Sequence, residues 1–418
     1  MPRNRWMLGA VFALGAAACA AQQAQAQQAV PQNPAQRTYV GSQACEKCHA
    51  ATYASWKKTR MANVVRDPKE HPEAVLGDFS QPNALVTFSL KDVAFVYGSR
   101  WKQRYFTKIG DEYYVEPAQW DVAKKRWLPY HADAGTDWWV PLYGASNMER
   151  PTGPLCDGCH SVNYNVATKQ VTEWNVGCEK CHGPGSEHVV TPTRQNIVNP
   201  AKLDYVRGND TCIQCHSQGR PIDDAGLAAK YGHHYDWPVG YTAGDRLADT
   251  WKLEDLKPGV TNFFQYADMT AHKNRMQGND FIQSTMYHRE LRCFDCHDVH
   301  SDAHTSDLRA EGNALCLSCH AASMGNGAGL KGTVAEHTHH AENSKGSQCT
   351  ACHMPLIEQT VKDNYVASHT FRFITPALTE AANVPNPCMQ CHADKTLGWA
   401  KDQLQKWATV SPWRMAQP

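Results

Sequence analysis

The sequence predicts a fold of short helices and long loops around an interior that side chains alone do not fill, with one small antiparallel sheet. Three observations carry that expectation. Of the 17 cysteines in 418 residues, all but Cys19 fall in pairs separated by two residues, each pair followed at once by histidine. Hydrophobic residues make up 42% of the chain, below the usual share for a globular domain of this size. Between the first and second cysteine pairs lie more than a hundred residues without cysteine, where strand-like patterns can be read.

The pairs form eight motifs: Cys45-Glu-Lys-Cys48-His49, Cys156-Asp-Gly-Cys159-His160, Cys178-Glu-Lys-Cys181-His182, Cys212-Ile-Gln-Cys215-His216, Cys293-Phe-Asp-Cys296-His297, Cys316-Leu-Ser-Cys319-His320, Cys349-Thr-Ala-Cys352-His353 and Cys388-Met-Gln-Cys391-His392. Random placement of this composition would yield roughly 0.03 such pentapeptides. The spacing has a chemical reason. Two thiols add across the two vinyl groups of a haem, and the adjoining histidine reaches the iron as proximal ligand. Disulfides would suit an exported chain but give no reason for a histidine after every second cysteine. Zinc knuckles lack that reason too, and thioredoxin-like pairs occur once per domain. The expectation is eight covalently attached c-type haems and a multihaem cytochrome c fold, in which porphyrin supplies the missing core.

The N-terminus bears on the compartment. Arg3 and Arg5 precede the apolar run Trp6–Ala18, and Ala24-Gln25-Ala26 offers a small-x-small cleavage site. That layout predicts a secretory signal peptide over residues 1–26. Its apolar run of about 13 residues falls short of the roughly 20 that span a bilayer, and no later stretch qualifies. The expected location is therefore outside the cytoplasm: the periplasm first, the outer-membrane or extracellular surface as alternatives. Lipidation at Cys19 is the rival reading, although Ala16 stands where a bulky aliphatic residue is usual. Residues 27–38 are a Gln/Ala-rich linker, expected to be disordered. The 41 basic residues equal the 41 acidic ones, which excludes the electrostatic footprint of a nucleic-acid binder.

A low-spin haem takes a sixth ligand, commonly a second histidine. Thirteen histidines lie outside the motifs, at positions 71, 131, 188, 233, 234, 272, 288, 300, 304, 337, 339, 340 and 369, enough for every iron. His188 follows His182 by six residues. His300 follows His297 by three, too close for the same iron, so it suits a neighbouring haem. His337 and His340 precede Cys349. Met61 shares a roughly helical spacing with Tyr53, Trp56, Val64 and Val65; core packing is its reading, with a His/Met haem as the alternative.

Motif spacing also predicts a duplication. From Cys156 the next motifs start 22 and 34 residues on; from Cys293 they start 23 and 33 residues on. Such matching intervals suggest two copies of a three-haem module. The expected organisation is a first haem plus small β region at 39–150, a three-haem module at 151–280, and a second such module with the eighth haem and a C-terminal helix at 281–410. Within the β region, Ala84–Leu90 and Val93–Tyr97 are apolar or alternating runs. Arg104–Ile109 and Glu112–Glu116 flank Gly110-Asp111, a good two-residue hairpin turn. Trp101, Tyr105, Phe106, Tyr113, Tyr114, Trp120 and Trp127 read as its core. At the C-terminus, Thr396–Trp407 carries Leu397, Ala400, Leu404 and Trp407 on one helical stripe.

Several segments resemble a known family. Cys178 to His188 (Cys-Glu-Lys-Cys-His-Gly-Pro-Gly-Ser-Glu-His) is similar to a segment of exported multihaem c-type cytochromes of the doubled-CxxCH group. These are relatives of the tetrahaem cytochrome that carries electrons from hydroxylamine oxidation in nitrifying bacteria. Gln283-Ser-Thr-Met286, His337 to Pro355, and Ser368-His369-Thr-Phe-Arg372 are similar as well. The resemblance implies His188, His300, His337, His340 and His369 as distal ligands. Many relatives have histidine where this chain has Thr59-Arg60-Met61, which leaves the first iron open to Met61, a distant histidine or no ligand.

A compact chain of about 392 residues has a radius of gyration of roughly 21 Å, so eight haems within it must approach closely. The sequence thus predicts an octahaem electron carrier between a donor and an acceptor protein. One alternative is an octahaem reductase of a small nitrogen or sulfur compound, with an open first iron and Lys57, Lys58 and Arg60 serving an anion; the plainer reading of those cations is a solvated helix face. A further alternative is a homo-oligomeric, electron-conducting filament.

Overall fold

The computed structural model of the protein describes residues 37–130, 146–321, 329–360 and 364–407. The expected signal peptide, Cys19, nearly all of the linker, and His131 lie outside the described residues.

Regular elements are short. The longest helices are Glu46–Trp56, with 11 residues, and Tyr205–Ile213 and Leu397–Gln405, with nine each. Glycine and proline, 28 and 23 of them, punctuate the chain before longer runs can propagate. Several motifs occupy one helical turn, as at Cys178–His182, Cys293–Cys296 and Cys349–His353, while Asn313–His320 carries the sixth. Residues three apart on a helix face the same side. Both sulfurs of a Cys-x-x-Cys pair therefore point one way. In the first motif the helix breaks at His49, whose backbone turns to φ −116°, ψ 35°.

The β region is a five-stranded antiparallel meander in chain order: β1 (Val65–Arg66), β2 (Val93–Tyr97), β3 (Lys102–Ile109), β4 (Glu112–Asp121) and β5 (Arg126–Pro129). Ile109 pairs with Glu112 across the expected Gly110-Asp111 turn, where Gly110 adopts φ 64°. Ala84–Leu90 forms no strand. The side chain of Asn83 accepts from the Leu85 amide instead, a local turn that competes with a sheet ladder. Val86, Phe88 and Leu90 still pack on the cluster of Val93, Val96, Tyr105, Ala118, Trp120 and Trp127. Of the expected aromatic core, Trp101 is 40% exposed. The other side of the meander gathers Val65, Tyr97, Phe106 and Val115 against Trp174 and Cys156, so the sheet is the bed of the second motif.

At the far end, Thr396 caps the Leu397–Gln405 helix by accepting from the Trp399 amide, and Ala400 and Leu404 are buried. The middle of the chain differs. Between residues 282 and 354, no apolar side chain among the described residues is buried. Among the described residues no helix is long and apolar enough to cross a membrane.

Candidate functional site

Four of the eight motif histidines face histidines from elsewhere in the chain. His49 and His188 have ring centroids 6.4 Å apart and planes 16° apart. His182 and His300 stand at 6.1 Å and 13°, His353 and His337 at 6.3 Å and 15°, and His392 and His340 at 6.2 Å and 40°. Such separations are too long for ring stacking. They match one metal between two imidazoles, since two metal–nitrogen bonds of about 2 Å plus the ring radii come to about 6 Å. His188, His300, His337 and His340 thus each face a motif other than the nearest one before them.

Hydrogen bonds set the tautomers. His182 Nδ1 donates to the Val198 carbonyl at 2.7 Å, His297 Nδ1 to Ser306 at 2.9 Å, and His369 Nδ1 to Ala367 at 2.9 Å. His188 Nδ1 donates to Asn196 Oδ1 at 2.9 Å, and Asn196 is oriented by its own bond to the Thr191 carbonyl. A carbonyl only accepts, so Nδ1 carries the proton and the Nε2 lone pair is free for iron. Burial also lowers the pKa of His182, His216 and His353, and takes His369 and His160 down to about 4. Neutral imidazole, the ligating form, is what these positions hold at neutral pH.

Backbone turns direct the distal side chains. Thr333 and Glu336 form a capping box on the helix Val334–Thr338, and His339 adopts φ 54°, ending it. The reversal sends His337 toward His353 and His340 toward His392. Gly346 is needed there, because a Cβ would collide with the His340 ring. His369 is held by Asp280, whose carboxylate accepts from the His369 amide and the Ser368 hydroxyl, both at 3.1 Å. The motif histidines His297 and His216 are among the groups acting on His369. Around His160, Tyr97 stands edge-on at 5.3 Å, and Nδ1 is buried without a hydrogen-bond partner.

Cysteines of different motifs touch. Cys45 lies beside Cys178, Cys159 beside Cys215, Cys212 beside Cys293, and Cys316 beside Cys349. Three further approaches are close enough to be felt electrostatically: Cys181 with Cys212, Cys296 with Cys319, and Cys352 with Cys388. In motif order these links run first, third, fourth, fifth, sixth, seventh, eighth. The second hangs from the fourth.

Paired sulfurs, a histidine beside them, and a second imidazole at metal-bridging distance are the donor set of covalent haem. Residues 288–325 match the doubled CXXCH motif family, and residues 44–83 match the family described as cytochrome c554 and c-prime. The chain is a multihaem c-type cytochrome. Among solved structures, outer cell wall cytochrome OcwA superposes with a TM-score of 0.68 at 21% identity, over 88% of this chain and 86% of that one, so the two share a fold. Among curated proteins, dissimilatory sulfite reductase MccA of Wolinella succinogenes is 22% identical over 63% of this chain and 41% of its own. Multiheme cytochrome MtrA of Shewanella baltica is 24% identical over 35% of this chain and 43% of its own. The chain spans about two fifths of the length of either relative.

Asn196, Asp280, Tyr97 and Gly346 act through other residues, and nothing in their own sequence context marks them.

Proposed function

We propose that the chain holds eight haems and carries electrons between protein partners outside the cytoplasm, along an unbroken line from the first motif to the eighth with the second as a side branch. The observation that carries this reading is the chain of close approaches between cysteines that links every motif to another. When bound, the haems supply one-electron exchange at iron. The polypeptide does the rest. Sixteen cysteines anchor the macrocycles, the motif histidines ligate, and His188, His300, His337, His340 and His369 take sixth positions. Nδ1 hydrogen bonds keep the rings of His188, His340 and His369 aimed. The layout of residues 1–26 supports export. Both ends of the line have their histidine pairs within one chain, so a filament built on ligands exchanged between copies is not favoured.

The test is a haem count with electron-transfer kinetics. Eight haems per chain, all reduced by one donor in a single fast phase, are expected. Replacing Cys212 and Cys215 by serine should leave part of the remaining haem slow to reduce. A count below eight, or unaltered kinetics in that variant, overturns the reading.

A second reading, reduction of a small substrate, is favoured by one observation, and it concerns the second motif rather than the first. His188 faces His49, whereas among the described residues no histidine ring pairs with His160, His216 or His297, and of these three His160 is the one whose Nδ1 is buried without a hydrogen-bond partner. A high-spin ferric signal that shifts with cyanide and disappears in His160→Ala would support it; a wholly low-spin spectrum would exclude it.

A further inference from the structure

Four pairs of motifs meet through their cysteines, and at three of them the charges alongside are of different sign or absent. Beside Cys45 and Cys178 lie two carboxylates, Glu173 and Glu179. Glu179 is buried and accepts the amides of Val40, Gly41 and Gly185; Glu173 accepts the amide and hydroxyl of Ser42. Burial raises the pKa of Glu173, while its bonds to Ser42 and the charge of Lys57 act the other way. Beside Cys316 and Cys349, the groups acting on the pair are Cys296 and His320, with neither lysine nor arginine among them.

Beside Cys159 and Cys215 the charge is positive. Arg275 Nη1 lies 3.9 Å from Cys159 Sγ, and its Nη2 donates to the Asp236 carbonyl at 2.7 Å and to the Asp236 carboxylate. The backbone of Arg275 sits at φ 54°, a region that non-glycine residues seldom adopt and that needs holding contacts. Lys180, inside the third motif, donates to the Gly158 carbonyl inside the second. From β3, Arg104 acts on Cys156 and His160. Opposing them, Asp236 is shared between Arg275 and Arg220. The other nearby acid, Asp157, accepts from the hydroxyls of Tyr97 and Thr152 and is pushed up to about 7 by burial.

We infer that Arg275 and Lys180 make the haems of the second and fourth motifs the highest-potential step of the line, and that Glu173 and Glu179 make the haem of the first motif its low-potential entrance, the third, which Glu179 and Lys180 both flank, lying between them. A fixed positive charge stabilises the added electron of a ferrous iron, and a fixed negative charge opposes it. Cysteines mark the vinyl edge of a haem, opposite its propionates, so the cofactor's own carboxylates do not neutralise cations placed there. Each transfer oxidises one ferrous iron at the entrance as it reduces one ferric iron at the sink. No proton or co-reactant is required. The inference rests on the relay reading proposed above.

The experiment is a spectroscopic redox titration of the haem-loaded full chain, with EPR at each potential, for wild type, Arg275→Gln, Asp236→Asn and Arg275→Lys. In Arg275→Gln the highest-potential step should fall by about tenfold in its reduced-to-oxidised ratio at fixed potential, about 59 mV for one electron. In Asp236→Asn, where the arginine is left uncompensated, the same step should rise. Arg275→Lys should restore the wild-type curve, which a purely structural arginine would not require. An unchanged highest step, or a fall in both Arg275→Gln and Asp236→Asn, overturns the inference. If Arg275→Gln matures without its full haem content, Lys180→Met decides, with the same downward shift expected and no shift overturning it. Failure here with eight haems in fast exchange leaves the relay standing; slow exchange in wild type removes the relay itself.

Discussion

The two motif triplets have nearly the same sequence spacing and different interiors. Around the first, the sheet supplies Tyr97, Phe106 and Val115, and a second cluster gathers Tyr235 and Trp237 about Cys159. Around the second, from residue 282 to 354, no described apolar side chain is buried. Linkage differs too. In the first triplet the outer motifs touch, Cys159 with Cys215, and the middle one reaches back to Cys45; in the second, the touching pair is consecutive, Cys316 with Cys349. Equal spacing along the chain therefore dictates neither what fills the space between motifs nor which motifs meet. Where side chains form a core, the haem is set into a folded protein. Where they do not, the haem has to be the core.

That contrast can be broken most directly by removing anchors. Replacing Cys349 and Cys352 by serine should leave the region 282–354 without an interior, and limited proteolysis should cut it rapidly. The same change at Cys156 and Cys159 should cost one haem by pyridine haemochrome while the sheet stays protease-resistant. Equal lability of both variants would erase the distinction.

A smaller change tests the ligand geometry of the second half. In Gly346→Ala the added Cβ meets the His340 ring, so the ring should be displaced from opposite His392. The expected outcome is one new high-spin iron by EPR, with the haem count unaltered.

The side-chain core of the first half makes a prediction about pH. Lys273 is 2% exposed, donates to Gln218 Oε1 at 2.8 Å, and is held down to about 8 chiefly by burial. Its unfolded value is about 10.4. Between those values the unfolded chain keeps a proton that the folded one has lost, so stability should rise with pH through that window. The penalty below it is on the order of 3 kcal/mol. Denaturant unfolding of Lys273→Met should lack the rise; if the rise persists, the lysine is not its source.

The smallest effect belongs to the C-terminal helix. Thr396→Ala removes its cap and should cost about 1 kcal/mol, seen as faster amide exchange in Leu397–Gln405 and nowhere in the sheet.

Much of the secondary structure was legible where local rules decide it. The Gly110-Asp111 turn needed only a permissive residue between two strand-like runs, and the Thr396 helix only a cap and a stripe. Ala84–Leu90 misled because alternation marks any segment that presents one side to a core, strand or not. His300 could be assigned to a neighbouring motif, since three residues cannot reach around the iron of His297. That it faces His182, and that His188 faces His49 and not its own neighbour, was not legible, for those encounters join residues more than a hundred positions apart.

The sequence by itself determined the chemistry: sixteen cysteines at a spacing that matches two vinyl groups, each pair with a histidine that covalent attachment brings to the iron. Those constraints act within five residues, so local order suffices to express them. Only the tertiary structure decided the pairing of imidazoles, the order in which motifs touch, and the sign of the charge beside each pair. Such relations arise between segments brought together by packing, and no local rule encodes them.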